Sequence, residues 1–494
     1  MRKGISQIKI PIRPSELSIE KVEPYLESVF SQFTKNARKI RKYYDIYCLD
    51  HAIYGKKRSH DDTDVNNIVL IPDMKYMVDW KAGYTCGNPI KYAQSKTIDT
   101  DDIQYLNKHI RDCNKRTVDK NVVTWAYAVG KGFYFIEPKS ESVNSDYEAP
   151  YVLYCQDADS CAKVYSSFGE HKPLFDILYT KVKEVVDGHE KTIEYYDLYF
   201  TDKLYTYKVE YGTKPIIINE QSRGISKPLP LTEKKFNSDC IGLVAMGYSM
   251  QNAVDKMISN GLDNIEDVVN EIFVYKNVNL GATPEEQKEN HTAMKRNGAV
   301  VLNTPNGSSA QADLDTISPK LSLAEVKELY SIINERFHST LGVPMATSAT
   351  NSGGTTKSGS EVANGYDNAY NHALNDVNSF LEADQELLEK MLWICKNTKG
   401  NKIDKIEASE VEIKYSLNLT DNILTKTQSY VNLVQTGVPP TIALRICKLS
   451  NDPEAEGKLI EQYAEQKEQK VAEQQIAMAQ QSAQNAQNDN NSQE

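Results

Sequence analysis

The stretch SLAEVKELYSIINERFHSTLGVPMATSATNSGGTTKSGSEVANGYDNAYNHALNDVNSFLEADQELLEKMLWIC, residues 322–395, decides how this chain is organised. It opens with Ser322 and, three residues on, Glu325, the pair of a capping box that satisfies free amides at a helix start. Leu323, Val326, Tyr330, Ile333 and Phe337 then step in threes and fours, which predicts a helix over 322–341 with one narrow apolar seam. Gly342 and Pro344 stop it. The following MATSATNSGGTTKSGS is small and polar, far longer than the ~2–8 residues that join neighbouring helices. Beyond it Val362, Tyr366, Tyr370, Ala373, Val377, Phe380, Leu381, Leu388, Met391, Leu392 and Cys395 mark one face of a single helix, ~50 Å long.

Working upstream, Val254, Met257, Ile258, Leu262, Ile265, Val268, Val269 and Ile272 form a second helical stripe over 252–271. Gly261 weakens it locally, by about 1 kcal/mol against alanine. Between the two stripes lies a compact unit, residues 272–319. It reads as strand-like IFVYKNV, a helix PEEQKENHTAMKR, strand-like AVVLN, the turn TPNGSSAQ and a last short apolar stretch ending at Pro319. Pro284 suits a first helical turn, and Glu285 and Glu286 face the positive end of the helix dipole. With Gln287 and Lys288 they form the exposed polar positions of this unit.

The first half has another character. Residues 20–55 read as helical, and their basic stretch KNARKIRKYYDIY is most simply a solvated helix face. NNIVLIPDMKYMVDWKAGYTCGNPIKY sets apolar runs between Gly83, Gly87 and Pro89. From Val122 to about Phe200, β-rich runs alternate with turns. Within AYAVGKGFYF the GKG string is expected to be a hairpin turn, and Lys131 a turn residue rather than a phosphate contact. The first half is therefore an α+β domain. Downstream of the long helix, EVEIKYSLNL alternates as a strand. Shorter helices follow, one ending at Gly437, one opening at Pro439–Pro440 and one capped by Asp452 before Pro453. Past Val471 the Gln/Asn/Ala-rich tail is expected to fray.

Composition narrows the functions. At ~150 residues per domain, 494 residues make about three domains or one elongated, multi-part subunit. The longest apolar run, Ile241–Met246, is far short of the ~20 residues of a membrane helix. MRKGISQIKIPIR lacks the apolar segment of a signal peptide, so a soluble, non-secreted protein is expected. A net charge of −11 argues against a basic DNA-wrapping surface, though not against a protein that encloses nucleic acid without gripping it. Eight cysteines without a C-x-x-C pair argue for reduced thiols and against zinc. Thirty tyrosines against 11 phenylalanines suit half-buried surfaces and subunit contacts, or exposed strand positions.

Active-site motifs fail on spacing. NSGGTTKS ends like a phosphate loop, but Asn351 and Thr356 stand where glycines are required. DADSCAKVYSSFGE begins like a calcium loop with Asp157 and Asp159, then puts Cys161 and Ala162 at a ligand and the turn glycine. Asp62 and Asp64 fit an acidic surface turn better than a cation site. No H-E-x-x-H or G-x-S-x-G occurs. The expectation is a protein without catalytic residues, metal or cofactor.

The order of parts, α+β domain, helix, β-α-β insertion, helix, polar loop, very long helix, strand and helical C-terminus, resembles the portal (head-to-tail connector) proteins of tailed bacteriophages, siphophage type. The likeness covers roughly residues 25–465. It rests on YYDIYCLDHAIYGKK, on NNIVLIPDMKYMVDWKAGYTCGNPIKY, on the helix–insertion–helix unit 252–341 and on LGVPMATSATNSGGTTKSGSEVANGYDNAY. Cys86 and the long polar tract at 346–358 depart from the family pattern.

The resemblance implies an elongated α+β subunit in a homo-oligomeric ring of about twelve copies, closed by one repeated heterologous interface. It implies a wing at 1–251, stem helices at 252–271 and 320–342, a clip at 272–319 and a tunnel loop at 343–358. A long wing helix would span 359–408, a crown 409–470 and a polar, partly disordered tail 471–494. Asn351, Ser352, Thr355, Thr356, Lys357 and Ser358 would face double-stranded DNA passing without sequence preference. Glu285, Glu286, Gln287 and Lys288 would meet the terminase large subunit and then a head–tail adaptor protein. Major capsid protein and scaffold complete the implied partners, with no membrane. The location would be the capsid vertex of a virion, and host cytoplasm during assembly. A cytosolic helical scaffold or filament former, and a metal-dependent transferase using Asp62 and Asp64, stay open as alternatives.

Overall fold

The computed structural model describes residues 4–57, 66–94, 101–139, 148–186, 189–210, 213–224, 227–269, 272–276, 283–297, 313–317, 323–345, 359–403, 405–417, 423–447, 449, 456–457 and 459–467. The chain divides into two units, Met1–Leu417 and Asn418–Glu494.

Strand β1 (Ile8–Ile10) leads through a one-turn helix α1 (Ile19–Val22) into α2 (Leu26–Tyr47). Along α2, Leu26, Val29, Phe30, Phe33, Ile40 and Ile46 are buried while Lys35, Arg38, Arg41 and Lys42 stay at the surface, a solvated basic face. Helix α3 (Asp73–Cys86) contains Gly83, and β2 (Lys91–Gln94), α4 (Asp101–Asp112) and α5 (Lys115–Val129) follow.

The GKG string is not a hairpin turn. Helix α5 runs through Val122 to Val129, and Gly130, at φ +105°, caps it with its N–H on the Ala126 carbonyl at 2.9 Å. Strand β3 (Lys131–Pro138) leaves at once. A Cβ on Gly130 would fall 2.3 Å from the Cys240 oxygen, and one on Gly132 2.1 Å from that of Val122. Both glycines let backbone approach backbone. Val122, Val123 and Trp125 read as strand from their own preferences; burial on several sides outweighs those preferences.

Strands β4 (Tyr151–Gln156), β5 (Cys161–Ser166), β6 (Pro173–Val186), β7 (His189–Tyr199), β8 (Lys203–Glu210), β9 (Ile216–Ser222) and β10 (Leu231–Lys235) complete the first half. A six-stranded sheet runs β1-β5-β6-β7-β8-β9, antiparallel except where β1 pairs parallel with β5. A three-stranded sheet runs β10-β3-β4. The start of α2 covers the larger sheet, with Phe30 stacked on Tyr196 at 4.0 Å. A second, larger core joins α3, α5, the three-stranded sheet and the long helix described below.

Helix α6 (Leu243–Val269) starts nine residues before the apolar stripe suggested, because Leu243, Val244 and Ala245 are themselves buried. Strand β11 (Ile272–Lys276), helix α7 (Pro284–Asn297) and strand β12 (Asp313–Ile317) form the insertion, β11 antiparallel to β12. AVVLN, TPNGSSAQ and the Ser322 cap lie outside the described residues. Helix α8 (Leu323–Leu341) returns beside α6. Helix α9 (Gly359–Asn397) is the long one, and β13 (Val411–Lys414) pairs antiparallel with β2. In the second unit α10 (Ile423–Gln435) ends before Gly437 at φ +89°, and α11 (Pro440–Cys447) follows. Asp452, Pro453 and the tail from 468 lie outside the described residues.

All eight cysteines are free thiols. The tyrosines depart from expectation: Tyr127, Tyr134, Tyr151, Tyr196 and Tyr207 are among the largest fully buried side chains. Their rings fill core volume while several hydroxyls find partners inside, as Tyr134 does by donating to Asp119 Oδ1 at 2.8 Å.

Candidate functional site

The insertion 272–319 is carried by the α6–α8 pair, so the fixing of α6 decides how the insertion is held. A non-helical strap, residues 66–72, runs along α6 and hands its backbone amides to side chains of that helix. Asn67 N–H donates to Asp263 Oδ1 at 2.6 Å, Val69 N–H to Ser259 Oγ at 3.0 Å and Ile71 N–H to Asp255 Oδ1 at 3.1 Å. Met74, at the head of α3, donates to Gln251 Oε1 at 3.1 Å. Gln251 Nε2 returns a bond to the Ile71 carbonyl at 2.7 Å, and Ser259 Oγ one to that of Val69 at 3.3 Å.

The register follows from geometry. Four residues of α-helix advance ~6.0 Å and two residues of extended chain ~6.6 Å, so every fourth side chain meets every second amide. Two further side chains close the seam. Lys56 Nζ donates to Asp263 Oδ2 at 2.6 Å and to the Asn67 carbonyl at 3.0 Å. His51, buried, sets Nδ1 2.7 Å from Asp255 Oδ2. Burial would raise the Asp263 carboxyl, but Lys56 and the Asn67 amide outweigh it and hold it below the usual range.

At the outer end of α6 and α8, apolar side chains stay open: Leu262 and Ile265 are 38% and 40% exposed, Leu329 and Ile332 50% and 51%. On the insertion, Glu285, Glu286, Gln287 and Lys288 all lie at the surface of α7. Thr283 caps that helix, its hydroxyl accepting the Glu286 N–H at 3.3 Å and its carbonyl the Gln287 N–H at 3.0 Å.

Helix α9 is bolted to the first half by buried ions. Lys81 reaches Asp376 at 2.8 Å, and Tyr127 OH donates to the same oxygen at 3.1 Å. Lys234 meets Asp384 at 2.7 Å, both side chains without exposed surface. Glu386 accepts from Lys163 at 2.5 Å and pairs with Lys390 at 2.7 Å, while Lys390 also caps the Leu231 carbonyl at 2.7 Å. The chain leaving α8 turns at Gly342, φ +67°, where His338 Nδ1 donates to the Val343 carbonyl at 3.1 Å. Asn351, Ser352, Thr355, Thr356, Lys357 and Ser358 lie outside the described residues, as do Asp62 and Asp64. Among the described residues no three His, Cys, Asp or Glu side chains gather as a metal site. None of the helices there is long and apolar enough to cross a membrane.

A family model described as phage portal protein, SPP1 Gp6-like, matches residues 26–474. The chain belongs to this portal family. Among solved structures, the portal chain is similar to one in the neck of an empty GTA particle computed with C6 symmetry. That likeness has a TM-score of 0.39 and 12% identity over 74% of this chain and 85% of the other. It is also similar to a chain in the virion of a native gene transfer agent (GTA) particle, TM-score 0.38, 11% identity, over 74% and 84%. No curated protein matches it. The family role is structural: a portal, or connector, of a phage virion.

The portal's polar seam went unread in the sequence. Gln251, Asp255, Ser259 and Asp263 recur every fourth residue and form a hydrogen-bonding stripe on α6. The apolar stripe of the same helix masked it, because a polar row reads as a solvated face unless a partner is known.

Proposed function

We propose that this portal assembles into a ring of about twelve subunits at one capsid vertex, through which double-stranded DNA is packaged and later ejected. The observation that carries this reading is the family match over residues 26–474. In this reading α6 and α8 are the stem, residues 272–319 the clip, 343–358 the tunnel loop and α9 the helix crossing the wing. The C-terminal helices belong to the crown, and the wing faces capsid protein and scaffold. The half-open apolar positions Leu262, Ile265, Leu329 and Ile332 suit closure against neighbouring stems, which would bury them. A net charge of −11 suits a channel through which DNA slides rather than sticks. Native mass spectrometry of the full chain is expected to give a closed ring of several hundred kDa from the 55.8 kDa subunit. Monomers and dimers at every salt would overturn autonomous assembly, and a concentration-dependent ladder would favour a filament.

The clip is the docking face for the terminase large subunit and then the head–tail adaptor. The exposed row Glu285, Glu286, Gln287 and Lys288 supports this, since its side chains lie open at the surface of α7. Reversing Glu285 and Glu286 to lysine is expected to leave rings intact and lower motor-driven packaging in vitro. Unchanged packaging reduces the two acids to helix-dipole partners worth ~0.3–1 kcal/mol each.

A further inference from the structure

Helix α2 and the turns before it carry their charge in two blocks. From Glu16 to Glu27 stand four acids, Glu16, Glu20, Glu23 and Glu27, and one lysine. From Ser28 to Tyr44 stand five cations, Lys35, Arg38, Lys39, Arg41 and Lys42, and no acid. All four acids are exposed. Ser28, Ser31, Lys35, Arg38 and Lys42 step in threes and fours, and every one of them is exposed, so they form one open stripe along α2. Some of this charge is used inside the subunit. Lys39 donates to the Gly4 carbonyl at 2.7 Å, Arg41 Nε meets Asp159 at 2.9 Å, and Lys21 lies 3.8 Å from Glu16. Among the described residues, Glu20, Glu23, Glu27, Lys35, Arg38 and Lys42 make no ion pair.

The helix dipole accounts for Glu27, which stands in the first turn of α2. It does not account for the basic block, because the last turn holds no basic residue and the dipole acts only within that turn. Asp45, Asp50 and Glu194 line the cleft beside the stripe, yet none of them pairs with it. Glu27 and Arg38 stand ~16 Å apart along the helix axis, and the short side chains of Ser28 and Ser31 lie between them, so a second surface can come close. A face with an acidic end and a basic end is complementary to a displaced copy of itself. We propose that α2 is a subunit contact, in which the acidic end of one copy, Glu20, Glu23 and Glu27, meets the basic stripe of the next, Lys35, Arg38 and Lys42. The occupant is a second copy of this chain, and the inference rests on the ring reading above. Head-to-tail pairing leaves each pair with one acidic end and one basic stripe open for further copies, as a closed ring requires. In a chain of net charge −11, whose copies repel one another, such a contact also fixes which surfaces meet.

The test uses the full chain in two variants. One reverses the acidic end, with Glu20→Lys, Glu23→Lys and Glu27→Lys; the other reverses the stripe, with Lys35→Glu, Arg38→Glu and Lys42→Glu. Sedimentation velocity and native mass spectrometry read the assemblies, starting at ~0.1 M salt, where screening leaves only charges within ~10 Å to act. Each variant alone is expected to need about tenfold more subunit than the wild type to form rings. An equal mixture is expected to recover them, because the two variants alternate around an even-numbered ring with opposite charges at every contact. Rings from either variant at the wild-type concentration, or a mixture no better than its components, overturn the proposal. A mixture that stops at dimers while the wild type forms rings puts the contact on a two-fold axis and overturns it as well. A wild-type chain that stays monomeric at every salt overturns the ring reading instead. The contact is then decided by the mixture, whose heteromers support it and whose lack of them overturns it. If melting shows that a reversed variant does not fold, Lys35→Gln with Arg38→Gln replaces it. That pair is expected to remove the salt dependence of ring formation, and an unchanged dependence overturns the proposal.

Discussion

Lys234 and Asp384 have no exposed side-chain surface, and Tyr415 donates to the same carboxylate. Such a pair is costly to bury and costlier to break, because the survivor keeps a charge without a counter-ion. Lys234→Met is therefore expected to cost about 3–5 kcal/mol, read as a fall in the urea midpoint, and Lys234→Met with Asp384→Leu to recover most of it. A second buried group has a pH signature. Burial, helped by Lys163, lowers Lys390 to about 8, whereas the unfolded chain keeps that proton to 10.5. The unfolded state binds more protons between those values, so stability rises with pH across them, and Lys390→Met should remove that rise. Glu386 has the opposite charge. Burial would raise it, but Lys163 and Lys390 outweigh that and hold it at about 2, against 4.5 when free. Its contribution is complete above pH 4.5 and lost as pH falls toward 2. With 38% of its side chain exposed, that contribution is on the order of 1 kcal/mol, and Glu386→Gln should flatten the acid limb by this much. The apolar positions of α9 could be read in advance: Ala373, Val377, Phe380, Leu388, Met391, Leu392 and Cys395 are all buried. Asp376, Asp384 and Lys390 share that buried side, but a charge in a sequence looks solvated, and their partners stand 295, 150 and 159 residues away.

Elements whose stability is local were legible; those set by distant contacts were not. Helix α7 begins at Pro284 and strand β11 at Ile272, each where the sequence marks it, because caps and β-branched runs act over a few residues. The start of α6 and the nature of residues 122–130 depended instead on what lay across the core. At the strap, the rungs are separable. Ser259→Ala removes the acceptor of the Val69 amide while keeping the helix, and is expected to cost about 1–2 kcal/mol in chemical unfolding. Gly342→Ala is a different kind of lesion, since φ +67° is strained for any side chain and its Cβ would stand 3.0 Å from the His372 ring. It is expected to lower the melting temperature and to displace the entry to the 346–358 segment.

On the scale of the whole molecule, the 346–358 tract is proposed to lie in the DNA path, and no large apolar side chain follows Met345 to dock it. Replacing 348–356 by a few glycines is expected to leave ring formation and melting temperature nearly unchanged and to reduce DNA packaging or retention. Lys357→Glu should reproduce part of that loss, because Lys357 is the only charge in the tract. Normal packaging by the shortened chain would remove the loop from the path, and loss of rings would move it to the subunit interface. The long reach of α9 and β13 also sets a timetable for synthesis. Lys81 and Asp376 are 295 residues apart, so at ~5–20 residues per second the lysine waits roughly 15–60 s on the ribosome for its counter-ion. Strand β2 waits longer still for β13. The larger core therefore closes only once α9 and β13 have been made, and a chain stopped before Asp376 would leave the ribosome with buried cations unmatched and a sheet edge bare, a substrate for chaperones and proteases.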